Sequence, residues 1–369
     1  MRVCIVTESF LPQVNGVTNS VLRLADHLEI NGHKALIVAP SGSISDYQSF
    51  PVLHAPALHL RRFGDVRISF AINRLIDQIF EFRPDVIHLA SPALLGYQVG
   101  VEAQRRKIPT VGIFQTDLAG FAKHYGFGLT SNSIWRWVST IHKNMNRTLA
   151  PSNKSCEDLR SLDVPDVYLW QRGVDTTLFN PSKRNGDLQK SFSGKKIIGF
   201  VGRLAHEKRV QDLIPVSQNS AYQLVIVGDG PARAELENLM PKAHFTGALH
   251  GEELANTFAN FDCFVHTGPN ETFCQAVQEA LASGVPTIAV NQGGPTELVD
   301  HGKSGFLIDT SNQVELIGAI NKILDPLNHA NFATQARVSV QHRSWNSVMH
   351  QLFEHYDEVI KSQKDLVAA

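Results

Sequence analysis

Glu271 and Glu279 stand eight positions apart in Glu271-Thr272-Phe273-Cys274-Gln275-Ala276-Val277-Gln278-Glu279, and Ala280-Leu281-Ala282-Ser283-Gly284-Val285-Pro286 follows. The segment has the composition of a loop running into a helix. At ~3.6 residues per turn, eight positions are about two and a quarter turns, which leaves the second carboxylate deeper on a similar side. The backbone amides of Phe273, Cys274 and Gln275 would then point out of the helix N-terminus, where unsatisfied N–H groups and partial positive charge favour an anion. Two acids flanking an anion cradle suit a sugar nucleotide. The same pair also fits general acid and base work.

A second cluster, Gly202-Arg203-Leu204-Ala205-His206-Glu207-Lys208-Arg209, follows an apolar run directly. Arg203 offers a planar fork and Lys208 a compact charge, a combination that can neutralise a diphosphate. The bland alternative is two solvated bases on a surface loop. The first strand-to-helix turn, Ser9 to Ser20, lacks GxGxxG, so no dinucleotide fingerprint is present. Gly16 there permits close approach of backbone to a phosphate, and Asn19 or Ser20 is expected to cap the helix. Asp117, in Phe114-Gln115-Thr116-Asp117, ends another strand and could orient a sugar or acceptor hydroxyl; His124 and Tyr125 follow it. No Asp-x-Asp occurs and the 16 histidines show no HExxH spacing, so no metal and no cofactor is expected.

These groups need a scaffold that brings strand ends together. Short apolar runs alternate with helical patterns throughout: Val3–Val6, Ala35–Val38, Asp85–Leu89, Thr110–Phe114 and Arg147–Ala150, then Lys196–Val201, Leu224–Val227, His244–Thr246, Cys263–His266 and Thr287–Val290. Strand and helix in strict turn imply α/β architecture, a parallel sheet covered on both faces, with ligands at the carboxyl ends of the strands. A chain of 369 residues exceeds one ordinary core. Two doubly wound, Rossmann-like domains are expected, residues 1–178 and residues 179–344, with Pro181–Asp187 as linker and a final segment over about 345–369. Val348, Leu352, Phe353, Tyr356 and Ile360 can share one stripe of a final helix.

The formal net charge of −1 gives no global attraction to nucleic acid. Four cysteines without a paired spacing read as free thiols in a reducing cytosol. No apolar run approaches the ~20 residues that span a bilayer. Leu58–Arg67 and Ser133–Lys143 mix bases with apolar residues; the second carries Trp135 and Trp137. Each fits a peripheral contact with an anionic membrane, or a helix packing its aromatics inward. The expected location is cytoplasmic, extending to the inner face of the cell membrane.

Taken in order, Gly202-Arg203-Leu204 with Glu207-Lys208, the E-x7-E pair Glu271 and Glu279, and Gly293-Gly294-Pro295-Thr296-Glu297 resemble the retaining GT-B glycosyltransferases over essentially the whole chain. Thr7-Glu8-Ser9-Phe10-Leu11-Pro12, Gln115–Phe121 and Arg172-Gly173-Val174-Asp175 are similar to bacterial GDP-mannose-dependent α-mannosyltransferases acting on glycolipids. The resemblance implies two Rossmann-like domains facing a cleft and a last helix that returns to the first. It implies that Arg203 and Lys208 hold the diphosphate, Glu279 the ribose, and Glu271 with the amides of Phe273 and Cys274 the donor hexose, while Gly16 admits phosphate. It further implies mannose transfer from GDP-mannose, with retention, to a glycolipid or lipid-linked acceptor. Asn15-Gly16 replaces the family's common double glycine, and Gln115 its common histidine. Alternatives are a sulfoquinovosyl- or glucosyl-type transferase using a UDP-sugar, a sugar-nucleotide epimerase, and a non-catalytic binding protein.

Overall fold

The computed structural model describes residues 1–60, 66–115 and 131–368. The chain divides into two compact units, Met1–Gln171 with Asn346–Ala369, and Arg172–Trp345. The change of unit falls between Gln171 and Arg172, earlier than the expected 178. Pro181–Asp187 is not a linker. Pro181–Lys183 is a helical turn, and Arg184 donates to the Phe261 carbonyl at 2.8 Å and the Asp262 carboxylate at 2.7 Å. The Asp262 side chain is 1% exposed and also accepts from the Ile197 amide at 2.8 Å. A buried carboxylate needs such partners, so this polar stretch is consumed inside the second unit.

The first unit carries β1 (Arg2–Thr7), β2 (Lys34–Pro40), β3 (Asp46–Tyr47), β4 (Phe50–Ala55), a β5–β6 hairpin (Ala57–Leu60 and Val66–Ser69), β7 (Val86–Ala90), β8 (Thr110–Ile113), β9 (Arg147–Ala150) and β10 (Val167–Leu169). Its main sheet runs β10-β9-β8-β7-β1-β2-β4-β3, parallel except for the β3–β4 pair. The order reverses between β1 and β7. The last helix, Trp345–Ala368, serves this unit from Asn346 onward: Val348, Leu352, Tyr356 and Val359 are buried, and the Tyr356 hydroxyl lies 2.7 Å from His88 Nδ1.

The second unit carries β11 (Lys196–Val201), β12 (Tyr222–Val227), β13 (His244–Gly247), β14 (Cys263–His266), β15 (Thr287–Val290) and β16 (Gly305–Ile308), all parallel in the order β13-β12-β11-β14-β15-β16. Side chains alternate between two cores. Ile197, Val225, Phe264 and Ala289 enter one, while Ile198, Leu224, Ile226, Val265 and Ile288 enter the other. Both faces are therefore helix-covered, which explains why these strands read as unbroken apolar runs. Here the order reverses between β11 and β14, and a ligand crevice forms at such a reversal, outside the carboxyl ends of the strands.

Candidate donor site

The reversal in the second unit carries the residues with chemistry. Arg203 and Lys208 follow β11; His266 ends β14, and Glu271 lies in the loop beyond it. The Lys208 ammonium donates to Glu271 Oε1, and both side chains are about one-fifth exposed, at 22% and 19%. This ion pair bridges the two strands between which the sheet reverses. Thr267 Oγ1 donates to the Lys208 carbonyl at 2.6 Å, tying the two loops a second time. Arg203, 47% exposed, pairs with Glu207 four residues on.

Glu271 does not stand on the helix. The helix is Gln275–Ala282, with Cys274 as its N-cap at φ 81°, so the acid precedes it by a short loop. The amides without an intrahelical acceptor are therefore those of Gln275 and the two residues after it, whereas Phe273 and Cys274 belong to the loop, 3% and 6% exposed. The loop's path is set by close packing from β15's exit. The Gly294 amide donates to the Glu271 carbonyl at 2.8 Å, and a Cβ on Gly294 would lie 2.3 Å from Phe273 Cα. Gly293 turns the chain at φ 67°. The double glycine is thus a support for the Glu271–Phe273 backbone.

Electrostatics separates the two acids. Burial acts to raise the Glu271 carboxyl, but His266 and Lys208 outweigh it and hold the group down at about 2. His266 Nε2 lies 3.5 Å from Glu271 Oε1. Burial likewise acts to lower Lys208 and His266. Glu271 overcomes it for Lys208, and Cys274 with Glu271 pushes His266 up to about 10. Glu279, one turn into the helix, is governed by burial, which pushes it up to about 8 against the pull of Arg172 and Gln275. Arg172 is pushed down to about 10 by burial. Gln275 is not free to reach a ligand with its side-chain amide, which donates to the Gly173 carbonyl at 3.1 Å; Gln278 Nε2 donates to the Arg172 carbonyl at 2.9 Å. Two groups that the sequence did not single out as site residues therefore belong here: Arg172, which faces Glu279, and His266, which faces Glu271. Both sit at chain positions whose importance depends on strand order.

In the first unit, Gly16 is the first residue of the helix Gly16–Ile30. Its cap is Asn15, not Asn19 or Ser20. Asn15 is extended, and its Oδ1 accepts from the amides of Val17 and Thr18 at 3.0 Å each. Asn19 and Ser20 are already helical, so their side chains cannot reach back to the first amides. Ser20 Oγ instead meets Gln115 Oε1 at 3.3 Å. Asp117, His124 and Tyr125 lie outside the described residues. Of the two tryptophans in the helix Ser131–Lys143, Trp135 packs partly buried against the Phe114–Val138 core, while Trp137, 38% exposed, packs at a tilt against Tyr97 with ring centroids 4.9 Å apart. Among the described residues no helix is long and apolar enough to cross a membrane.

Two Rossmann-like units and a basic, two-carboxylate site at a sheet reversal define a GT-B glycosyltransferase. The chain belongs to the group 1 glycosyltransferases: the model for "Glycosyl transferases group 1" matches residues 184–338, and that for "Glycosyltransferase Family 4" matches residues 14–178. It is 45% identical over 98% of its length to a GDP-mannose-dependent alpha-mannosyltransferase of Corynebacterium glutamicum, 89% of which is covered. A protein of the same description from Mycolicibacterium smegmatis is 44% identical, with 98% of each chain covered. A sulfoquinovosyl transferase of Arabidopsis thaliana is 28% identical over 84% of this chain and 64% of its own. Among solved structures, sucrose-phosphate synthase from Thermosynechococcus elongatus superposes with a TM-score of 0.79 at 18% identity, covering 98% of this chain and 99% of that one.

Proposed function

We propose that the enzyme transfers mannose from GDP-mannose, with retention of anomeric configuration, to a glycolipid or lipid-linked acceptor. The observation that carries the reading is the Lys208–Glu271 pair across the β11/β14 reversal, in a chain 44–45% identical to GDP-mannose-dependent relatives. The two groups satisfy one another in the structure. A bound donor separates them, its diphosphate taking Lys208 and its hexose hydroxyls taking Glu271. Glu279 accepts from the ribose hydroxyls, and Arg172 behind it favours its carboxylate form.

As the bond from the anomeric carbon to the β-phosphate oxygen breaks, negative charge grows on that phosphate. Arg203, Lys208 and the amides that open the helix Gln275–Ala282 are placed to stabilise it, an effect that is largest where the donors are fixed beforehand. The acceptor oxygen bonds to the same face of the carbon, and its proton passes to the departing phosphate oxygen. In that path neither carboxylate acts as a base; both are positioning groups. The negative charge on the leaving phosphate is met by protein groups, so turnover is expected to survive a chelator.

The test is transfer of radiolabelled mannose from GDP-mannose into a membrane lipid extract, with EDTA present throughout. The native chain is expected to label lipid, and Glu271→Ala to lose at least about a hundredfold in rate with its far-ultraviolet dichroism unchanged. Near-native turnover in Glu271→Ala would overturn the assignment. A UDP-sugar reading has support from the sulfoquinovosyl relative. Labelling from UDP-sulfoquinovose in preference to GDP-mannose would decide for it.

A further inference from the structure

The end of β14 and the loop from it to the helix Gln275–Ala282 gather three side chains of metal-ligating type in nine residues. An imidazole nitrogen of His266, a carboxylate oxygen of Glu271 and the Cys274 thiol all lie within 4.8 Å of one another. His266 is 3% exposed, and neither of its ring nitrogens makes a hydrogen bond of good geometry in the protein, although both are buried. Buried polar nitrogens are normally satisfied, whereas here Glu271 Oε1 lies 3.5 Å from Nε2 and Cys274 also faces the ring, contacts too loose for a good hydrogen bond. Cys274, 6% exposed, is one of four free cysteines. Ligand atoms around a tetrahedral cation are about 3.3–3.8 Å apart, given bonds of 2.0–2.3 Å, so side-chain rotations that close the cluster by about 1 Å would complete three positions and leave a fourth open.

We propose that His266, Glu271 and Cys274 form an inhibitory site for a borderline-soft divalent cation of the zinc class, whose occupancy and donor binding exclude one another. The second half rests on the reading that Glu271 holds the donor hexose. Thiolate, imidazole and carboxylate together select Zn2+ or Co2+ over Mg2+, which prefers oxygen ligands in octahedral array. The three ligands lie close in sequence, so ordering them costs little loop entropy. A cation entering here takes the Glu271 carboxylate away from the Lys208 ammonium, and the Cys274 thiol proton passes to solvent as the sulfur binds. Lys208 is thereby set against the metal, and the hexose loses its carboxylate.

Cobalt is the probe. The full chain, stripped with a chelator and dialysed, is titrated with Co2+. One equivalent is expected to produce a sulfur-to-cobalt charge-transfer band, unaffected by Mg2+ and bleached by Zn2+. Cys274→Gly removes the thiol at a backbone φ of 81°, where glycine is unstrained, and is expected to fold and to lose the band. No band in the native chain, or a band that survives in Cys274→Gly, overturns the site. Lys208→Met is expected to tighten Co2+ binding about fivefold by removing the competing charge; weaker binding would contradict the placement. Calorimetry with saturating Zn2+, corrected for Zn2+–nucleotide association measured without protein, is expected to raise the Kd for GDP-mannose about tenfold or more. An unchanged Kd overturns the exclusion. If GDP-mannose fails to bind without metal, the donor reading falls while the cobalt spectrum still decides the site.

Discussion

At the scale of single residues, the two glutamates differ in which force governs them. Glu271 faces Lys208 and His266 and is ionised across the working range; Glu279 is governed by burial and titrates at about 8. A folded-state value raised above the ordinary 4.5 means that Glu279's contribution to stability is full below 4.5 and is lost as pH rises through about 8. Ribose hydroxyls donate to the ionised form, so donor binding runs the other way. Affinity for GDP-mannose is expected to rise several-fold from pH 7 to 9, and Glu279→Gln is expected to flatten that rise while raising the melting temperature at pH 9. Calorimetry and thermal unfolding across pH check both halves; an unchanged pH profile in Glu279→Gln would contradict the assignment. The acids and bases of the site were legible in the sequence because their types and their places after apolar runs are local facts. Their partnership was not, because Lys208 meets Glu271 only through the adjacency of β11 and β14. His266 read as the last residue of a strand and Arg172 as part of a resemblance, for the same reason.

At the scale of elements, loop geometry is set by contacts that no residue pattern announces. The helix Gln275–Ala282 starts later than its acidic prelude suggested, because Cys274 takes a left-handed backbone and becomes the cap. Gly293-Gly294 is a turn whose backbone packs against the Glu271–Phe273 loop. Gly294→Ala places a Cβ against Phe273 backbone atoms, which cannot rotate away. It is expected to cost about 1–3 kcal/mol in unfolding free energy and to weaken GDP-mannose binding together with it. Denaturant melts and donor titration of the variant check this; native affinity in a destabilised variant would separate the glycine from the site. The long apolar strands were all legible. The ones that were not, β3 to β6, β10 and β16, are two to six residues long, at edges or interrupted by Pro51 and His54, where period and hydrophobicity carry little signal.

At the scale of the whole molecule, alternation of strand and helix, a restart near Lys196 and an amphipathic end segment were enough to specify two doubly wound units and a long final helix. The change of unit was displaced because a polar, proline-containing stretch reads as a linker whether or not a buried Asp262 consumes it. The final helix is tied to the first unit by Tyr356, whose hydroxyl meets the buried His88. Tyr356→Phe leaves that imidazole without its partner and is expected to cost about 1–3 kcal/mol with donor affinity unchanged, since the contact lies in the unit that does not carry Lys208 and Glu271. A loss of donor affinity equal to the loss of stability would contradict that separation. The central claim, that the β11/β14 reversal is a GDP-mannose site, is met most directly by thermal unfolding of the native chain with saturating GDP-mannose, UDP-glucose, UDP-glucuronate and UDP-sulfoquinovose in turn. A ligand at 100 times its Kd stabilises by about 2.7 kcal/mol, so selective binding is plainly visible. The predicted result is a raised transition with GDP-mannose alone, absent in Glu271→Ala; equal or larger stabilisation by a UDP-sugar would contradict it.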